Sequence, residues 1–393
     1  SRLTMSTLTP TQAAVLARGV YKLRENSVSD MRERGQTLGC EGMFTVDDGS
    51  RFQGKSGALA WKRLSGFGYM AAGEGAHQGE VLLVTRGTAM GADWLTNLNI
   101  GMQSGPSGHF VHAGFNETWK SFSTEIRGFL QGRNPSTIHC VGHSLGGALA
   151  TLNADLLSSI GAGQVKLYTF GCPRTGVIPF SRALTRRVGS ANIHRVFHHS
   201  DPVPMIPIFP FQHLPTDTAG LGITSADAGL ISVAAHNMEG SYIPGVEGLS
   251  WQDLAAAQGN PNTDQQTQSW LEQAAAGRGN ILMGSAKALG MIGRALRWVL
   301  KQAGKLLVGV FGTVLTVGAS LVDQLAWLLG KAADLSKELG GHVKTLVMAI
   351  MKFLGKSVKA IAEASVAFLR WVLELLFSTL RNTAERALQF IGS

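Results

Sequence analysis

The sequence predicts an α/β fold in which a mostly parallel sheet is flanked by helices, followed by an all-helical C-terminal region. In the N-terminal part of the chain, short apolar runs typical of buried strands alternate with stretches of helical periodicity. The pattern Gly-x-Ser-x-Gly at residues 142–146 joins one such run directly to a helix-forming stretch. All 12 prolines of the 393 residues lie at or before Pro261, so the remainder has the composition of long helices.

The elements of the predicted sheet follow one another along the chain. The spacing of apolar residues predicts helices over residues 9–31 and 115–130. A continuous apolar run at residues 81–84 predicts a strand that is buried on both faces. Further apolar runs predict strands at residues 165–170 and 193–197. Strands separated by helices are typical of a parallel sheet that is covered on both faces.

The Gly-x-Ser-x-Gly pattern predicts a nucleophile. An apolar run ends at Gly142, Ser144 lies in the turn, and Gly146 stands in the stretch where the next helix begins. Glycine at both flanking positions lets the backbone turn sharply enough to present the serine hydroxyl. The alternative is a glycine-rich turn that carries a serine by chance. The strand before the turn and the helix after it favour a nucleophile elbow.

A serine nucleophile needs a base that removes its proton and an acid that orients the base. Asp201 follows the predicted strand at residues 193–197, and prolines on its carboxyl side stiffen its loop. His236 comes later, which gives the order Ser, Asp, His expected with this type of elbow. We therefore predict Ser144, Asp201 and His236 as catalytic residues. Three other histidines remain alternative bases: His198, His199 and His213.

The tetrahedral intermediate of acyl transfer also needs two hydrogen-bond donors at its oxyanion. The first predicted donor is the backbone amide of Leu145, directly after the nucleophile. The second is Thr88, in the Arg-Gly-Thr turn that ends the predicted strand at residues 81–84. Such turns are common in loops, and its position at the end of a central strand is what favours a role at the site.

These residues resemble, in order, the landmarks of the class 3 (fungal-type) lipase family. The matching segments are residues 86–88, 112–115, 142–147, 169–174 and 201–204, and His236 with Tyr242. The resemblance implies an α/β-hydrolase fold over roughly residues 16–242. It also implies that Ser144, Asp201 and His236 match the family's triad, and that Thr88 and Leu145 match its oxyanion hole.

The resemblance further implies a lid that meets the lipid interface. In fungal members a short helix after the oxyanion loop carries a tryptophan, which Trp94 matches. The neighbouring apolar residues of this predicted lid are Leu95, Leu98 and Ile100. Two features depart from the family pattern: the glycine-rich residues 101–108, and the absence of the paired cysteines that brace fungal members. Cys140 and Cys172 are predicted to be buried packing residues rather than a disulfide.

Composition divides the chain into three parts. We predict a class 3 lipase-like α/β-hydrolase domain over residues 1–245, a linker over residues 246–280, and a helical, apolar and basic domain over residues 281–393. The last part holds 14 of the 35 Lys and Arg residues but only 6 of the 26 Asp and Glu residues. This imbalance predicts contact with an anionic surface, which for so apolar a segment is a membrane rather than nucleic acid.

Apolar residues at helical spacing between residues 346 and 380 predict an amphipathic helix of many turns. Residues 306–322 carry no charge over 17 positions, close to the lower limit for crossing a bilayer. The C-terminal region is therefore either a bundle packed on itself or on the hydrolase, or a membrane-seeking module. In the second case its interface tryptophans are Trp298, Trp327 and Trp371.

The predicted function is serine-dependent hydrolysis of lipid carboxylic esters, as a phospholipase A or lipase at a membrane interface, with no cofactor and no metal. Two alternatives stay open: a membrane-inserting toxin driven by the helical tail, and an esterase for soluble esters. The N-terminus shows no signal-peptide pattern. This predicts a protein that is cytoplasmic in the producer before export and leaves by a signal-peptide-independent route. The resemblance to bacterial members with helical extensions predicts an antibacterial effector with an immunity or secretion partner.

Overall fold

The computed structural model describes residues 7–23, 37–45, 61–63, 66–87, 101–225, 229–259, 264–276, 278, 284–306, 320–357, 364–389 and 391. Five predicted site residues lie outside these ranges: Thr88, Trp94, Leu95, Leu98 and Ile100.

Most strands of the described residues belong to one mixed sheet. The strands are, in chain order, β1 (Phe44–Thr45), β2 (Trp61–Arg63), β3 (Gly68–Gly73), β4 (Val81–Thr85), β5 (Met102–Ser104), β6 (Phe110–His112), β7 (Thr137–His143), β8 (Gln164–Phe170), β9 (Gly176–Val177), β10 (Ile193–His198), β11 (Phe211–Gln212) and β12 (Leu221–Ile223). The main sheet has the order β1-β3-β4-β7-β8-β10-β12, with β2 paired to β3. A smaller sheet has the order β11-β9-β6-β5.

The centre of the main sheet is parallel. Strands β4, β7, β8, β10 and β12 pair in parallel, whereas β1, β2 and β3 add an antiparallel edge. Every residue of β4 and β7 is buried, as expected for strands covered on both faces. The carboxyl ends of the parallel strands therefore meet at one edge, which is where open α/β sheets bind ligands.

Helices cover the sheet and form the C-terminal region. They are α1 (Pro10–Gly19), α2 (Ala113–Lys120), α3 (Ser123–Leu130), α4 (Leu145–Ser159), α5 (Ile178–Val188), α6 (Ile243–Val246), α7 (Trp251–Ala256), α8 (Asp264–Ala275), α9 (Ala286–Leu306), α10 (Leu321–Leu335), α11 (Lys337–Phe353) and α12 (Val366–Gln389). Helix α4 buries all its residues up to Leu157 and fills the space beside β7 and β8.

Two of the helices predicted for the sheet domain differ from the observed ones. The helix predicted over residues 9–31 starts at Pro10 with a Thr9 capping box, ends at Gly19 and continues as a 3₁₀ turn, Val20–Leu23. Residues 24–31 of that prediction lie outside the described residues. The helix predicted over residues 115–130 is divided into α2 and α3. Between them the Ser121 hydroxyl donates to the Thr118 carbonyl, a local bond that competes with the helical ladder.

The stretch predicted as a linker over residues 246–280 contains helices α7 and α8. Ser250 and Asp253 form a capping box at the start of α7. The Trp251 indole N–H donates to the Leu8 carbonyl at 2.8 Å, and its ring stacks on His194 with centroids 4.2 Å apart. These contacts tie the start of the stretch to the sheet domain.

The single helix predicted between residues 346 and 380 is divided between α11 and α12. Gly355 adopts φ 70°. Its N–H donates to the Lys352 carbonyl at 3.0 Å, and the Lys356 N–H donates to the Met351 carbonyl at 2.9 Å. This Schellman motif ends α11, because glycine reaches the left-handed region without a steric penalty.

Helices α9 to α12 pack on one another and on the sheet domain. Leu325, Leu346 and Leu376 are buried between them, and α12 contacts the 3₁₀ turn Val233–His236. In the described part of the chain, every helix is too short or too polar to cross a bilayer. Most of the uncharged stretch, residues 307–319, lies outside the described residues.

Candidate active site

Ser144 occupies a strained turn between β7 and α4. Its φ of 60° and ψ of −132° make it the only non-glycine residue with positive φ in the described chain. A Cβ on Gly142 would lie 2.0 Å from the Gly146 carbonyl oxygen, and one on Gly146 would lie 2.3 Å from the Thr85 carbonyl oxygen. The strand and helix approach so closely here that only glycine fits, as a nucleophile elbow requires.

The structure brings Ser144, His236 and Asp201 together from three separate segments. His236 Nε2 lies 2.9 Å from Ser144 Oγ, and His236 Nδ1 lies 2.8 Å from Asp201 Oδ2. Since a carboxylate only accepts, Nδ1 carries the hydrogen and Nε2 is left to accept from the serine hydroxyl. All three residues are buried, at 0, 1 and 0% exposure for Ser144, His236 and Asp201.

The alternative bases are held elsewhere. His198 Nδ1 accepts from the Ser200 N–H at 3.0 Å, and His213 Nε2 donates to the Pro204 carbonyl at 2.6 Å. The ring of His199 packs edge-on against Phe197. His236 is thus the histidine that the structure places on the Ser144 hydroxyl.

Asp201 is fixed by donors on both carboxylate oxygens. Besides His236, the Tyr242 hydroxyl donates to Oδ2 at 2.6 Å and the Val203 N–H donates to Oδ1 at 2.9 Å. Burial, together with the Asp201 charge, raises the pKa of Tyr242 well above its usual value, so this phenol keeps its proton.

The backbone of Gly171 lies directly against the triad. A Cβ at this position, where φ is 56°, would lie 2.8 Å from Asp201 Oδ2 and 3.0 Å from His236 Nδ1. Both the backbone conformation and the lack of space therefore require glycine at the end of β8.

One predicted oxyanion donor lies within the described residues. Leu145 is the first residue of α4, so its amide is among those at a helix N-terminus that the helix itself leaves unpaired. Gly87, at the end of β4, lies beside it: a Cβ there would be 3.4 Å from Ser144 Cβ and 3.6 Å from the Leu145 nitrogen. The segment that leads to Thr88 thus reaches the nucleophile.

The parallel sheet, the strained serine turn and the chain order Ser, Asp, His together confirm the predicted α/β-hydrolase fold. Residues 82–211 match the lipase (class 3) family. This match covers the elbow, Asp201 and the strands that carry them, whereas His236 and the helical C-terminal region lie beyond it.

The chain is also similar to individual fungal proteins. It is 35% identical over 157 residues to the secreted mono- and diacylglycerol lipase 1 of Fusarium solani, covering 38% of this chain and 46% of the relative. It is 32% identical over 135 residues to the secreted mono- and diacylglycerol lipase A of Penicillium cyclopium, covering 33% and 43%. The chain thus spans less than half the length of these relatives. The Rhizomucor miehei triacylglyceride lipase structure aligns with 22% identity and a TM-score of 0.39, covering 56% of this chain and 79% of that chain.

Sequence reasoning missed two residues that brace the candidate site from behind. His143 Nε2 lies 2.8 Å from the His236 carbonyl and must donate to it, so His143 Nδ1 accepts from the Tyr21 hydroxyl at 2.8 Å. The Tyr21 hydroxyl in turn accepts from the Gly87 N–H at 3.3 Å. Burial, and next the His236 charge, lower the pKa of His143 well below its usual value, which keeps its ring neutral.

His143 stands inside the elbow motif, directly before Ser144. That position could have indicated a role at the site, although none was predicted for it. Tyr21 lies 123 positions before Ser144, and only the fold connects the two. This bracing chain joins the end of β4 to the loop that carries His236.

Three residues of the kinds that bind metal ions lie near the amino ends of the parallel strands, opposite the end that carries Ser144. His77, Glu80 and His139 are buried, with their ligand atoms within 4.8 Å of one another. Glu80 Oε2 lies 2.7 Å from His77 Nδ1 and 2.8 Å from His139 Nε2, which are hydrogen-bond distances. Glu80 directly precedes β4 and His139 lies near the start of β7, so this cluster takes no part in chemistry at Ser144.

Proposed function

We propose that this chain hydrolyses carboxylic esters of lipids, with Ser144 as nucleophile, His236 as base and Asp201 as the residue that orients the base. The observation that carries the proposal is the hydrogen-bonded relay from Ser144 Oγ through His236 to Asp201, at 2.9 and 2.8 Å. Relays of this kind recur in acyl transfer, where serine becomes reactive only when a neighbouring base accepts its proton.

In the acylation step, the Ser144 proton passes to His236 Nε2 while Oγ attacks the ester carbonyl carbon. The oxyanion so formed is stabilised by the Leu145 amide and by a second donor, for which Thr88 is the proposed residue. Collapse of the intermediate breaks the ester bond, and His236 gives its proton to the departing alcohol. Water then repeats the sequence on the acyl-enzyme and releases a fatty acid.

The proposed substrate class is a phospholipid or acylglycerol presented at a membrane surface. The two similar fungal proteins described above are named as mono- and diacylglycerol lipases, which supports an acyl ester of glycerol. The excess of basic residues in residues 281–393 and the exposed side chain of Trp371, at 46%, support an anionic lipid surface and therefore phospholipase A activity.

Product analysis on mixed vesicles tests this proposal. Wild-type protein, Ser144→Ala and Ser159→Ala are incubated with vesicles of phospholipid and triacylglycerol, and released fatty acids and lysolipids are measured by mass spectrometry. Ser159 lies at the exposed end of the same helix, so Ser159→Ala should retain full activity. Ser144→Ala alone should release these products at least about a thousandfold more slowly, because its residual catalysis comes only from binding and the oxyanion hole. Equal release by both variants would refute the proposal.

The alternative functions give different outcomes in the same vesicles. Leakage of vesicle contents that survives Ser144→Ala would favour a membrane-inserting toxin driven by the helical tail. A rate that does not rise above the aggregation limit of a short-chain substrate would favour an esterase for soluble esters. Delivery by a signal-peptide-independent route and an immunity or secretion partner stay predictions.

A further inference from the structure

Three arginines converge where the sheet domain meets the helical region. Arg174 follows β8, Arg195 lies on β10, and Arg294 lies on α9. All three line both of two adjoining cavities, of about 420 and 560 Å³. The cavities therefore have a wall from the hydrolase and a wall from the C-terminal helices.

Arg195 is buried, with 7% exposure, yet its guanidinium is only partly bonded. One Nη2 hydrogen bond reaches the Ala219 carbonyl at 2.7 Å, and the guanidinium carbon lies 4.6 Å from the Phe197 ring centroid. Nε has no hydrogen-bond partner. Burying a cation whose N–H has no acceptor lowers the stability of the fold, unless a bound group accepts that hydrogen bond.

The other two arginines are also without carboxylate partners. Arg174 Nη1 donates to the Met205 and Pro207 carbonyls at 2.6 and 3.1 Å. Arg294 Nε has no hydrogen-bond partner, and its Nη2 contacts the Met291 sulfur at 2.7 Å. Within the described residues, none of the three arginines makes an ion pair with Asp or Glu.

The acids that line the cavities are engaged elsewhere. Asp201 accepts from His236 Nδ1 at Oδ2 and from the Val203 N–H at Oδ1, and the exposed Asp217 accepts from the Ser190 hydroxyl at 2.5 Å. Burial, then repulsion from Arg195, Arg297 and Arg294, lowers the pKa of Arg174 to about 10. The arginines thus repel one another across a cavity lined by no other acid of the described chain.

We propose that these cavities bind a phosphate group between Arg174, Arg195 and Arg294. Each guanidinium presents a planar fork that matches phosphate oxygens, and a phosphomonoester carries up to two negative charges, enough to offset the mutual repulsion better than one carboxylate. Apolar side chains of Ile208 and Leu289 line the first cavity and leave room for an organic group attached to the phosphate.

The same phosphate chemistry has two sources, a phospholipid headgroup and free inorganic phosphate. Binding requires no hydrolysis, so this inference stands apart from the activity proposed for Ser144. It is tested on the full chain, with Arg294→Gln as the altered site and Arg127→Gln as the matched control on an exposed face of α3.

Thermal unfolding in inorganic phosphate tests the site itself. Wild type and Arg127→Gln should gain about 3 °C or more in Tm over chloride at equal ionic strength, since a ligand that binds the folded state alone raises stability. Arg294→Gln should lose that gain but match or exceed wild-type Tm in chloride, because one repelling charge is removed. Arg294→Lys, which keeps the charge without the fork, should show a reduced gain. An equal gain in Arg294→Gln and Arg127→Gln would overturn the proposal.

Vesicle sedimentation identifies the source. The same substitutions are made in the Ser144→Ala background, and binding is compared on phosphatidylcholine vesicles containing either phosphatidic acid or, at the same mole fraction, oleic acid. Loss of the phosphatidic acid preference in Arg294→Gln would assign the site to a lipid headgroup. If Arg294→Gln keeps the preference for phosphatidic acid but loses the rise in Tm in inorganic phosphate, the site would be assigned to free phosphate. The proposal would be overturned if the Tm of wild type did not rise in inorganic phosphate and Arg294→Gln left the preference for phosphatidic acid unchanged.

Discussion

Tyr242 shows how a residue outside the relay of Ser144, His236 and Asp201 sets the geometry of that relay. Its hydroxyl donates to Asp201 Oδ2, the same oxygen that accepts from His236 Nδ1, and it accepts from the His198 N–H at 3.1 Å. The phenol therefore fixes the position of the carboxylate oxygen between two donors. Without it, His236 Nδ1 would be the one remaining donor on Oδ2 and the Val203 N–H would hold Oδ1, so the carboxylate would be positioned less firmly.

Replacing Tyr242 by Phe should lower kcat about tenfold with little change in KM, because the lost contact orients the base and does not bind substrate. Tyr168→Phe is the matched control, since the Tyr168 hydroxyl also makes two buried contacts, with His139 Nδ1 and the Leu8 N–H at 3.1 Å each. The control should lose comparable stability and keep its kcat. Equal kcat in both variants, measured by steady-state ester hydrolysis, would contradict this role.

At the scale of elements, the elbow depends on how closely β4, β7 and α4 approach. A Cβ on Gly146 would lie 2.3 Å from the Thr85 carbonyl oxygen and 2.7 Å from Arg86 Cα. Both neighbours are backbone atoms at the buried carboxyl end of β4, in its last residue and the residue after it, so neither can move without disturbing the sheet.

Gly146→Ala should therefore destabilise the fold by about 3 kcal/mol and abolish activity, because overpacking costs about 1–3 kcal/mol and fixed backbone neighbours place this site at the upper end. Gly128→Ala in α3 is the control: no atom lies within 4 Å of its added Cβ. That variant should be stabilised by about 0.5–1 kcal/mol through helix propensity. Urea unfolding of both variants measures the difference, and similar midpoints would show that the elbow tolerates a side chain.

Local sequence signals predicted the elements that carry the candidate site but not the contacts between distant ones. The apolar run before Gly142 has the pattern of a strand and forms one. The small residues after Ser144 have the pattern of a helix and form one. Asp201 and His236 could be placed because each follows a readable landmark in a known order. Tyr21, in contrast, reaches His143 only through the fold, and the division of the last helices depends on Gly355 adopting φ 70°. The Arg195 cavity joins strands to α9, so no local pattern contains it.

At the scale of the whole molecule, histidines are distributed through the interior rather than at the surface. Five histidines that are buried or half-buried have a lowered pKa, and burial is the largest cause in each: His139, His143, His194, His198 and His213. A histidine whose pKa is lowered in the folded state binds a proton there at a lower pH than the unfolded chain does, which binds one near 6.5. The unfolded state therefore binds more protons as the pH falls, and the folded state loses stability on the acidic side.

His194 offers the clearest test of this whole-molecule effect. Burial, then Lys166 and His139, lowers its pKa to about 3, while its ring stacks on both Trp251 and Tyr168 with centroids 4.2 and 5.1 Å away. Between pH 6.5 and 5 this one group should cost the folded state about 2 kcal/mol, at about 1.4 kcal/mol per pH unit. Phenylalanine keeps the stacking and cannot titrate. His194→Phe should therefore lose about 2 kcal/mol less than wild type when urea unfolding at pH 7 is compared with pH 5.

The half-buried His109 supplies the control, because His109→Gln removes a histidine that does not belong to the buried group. Its loss of stability between pH 7 and 5 should equal that of wild type. If His194→Phe instead followed the wild-type pH dependence, the acid sensitivity would have to come from the carboxylates. The buried histidines would then not limit the pH range in which the sheet domain and its helical region stay folded.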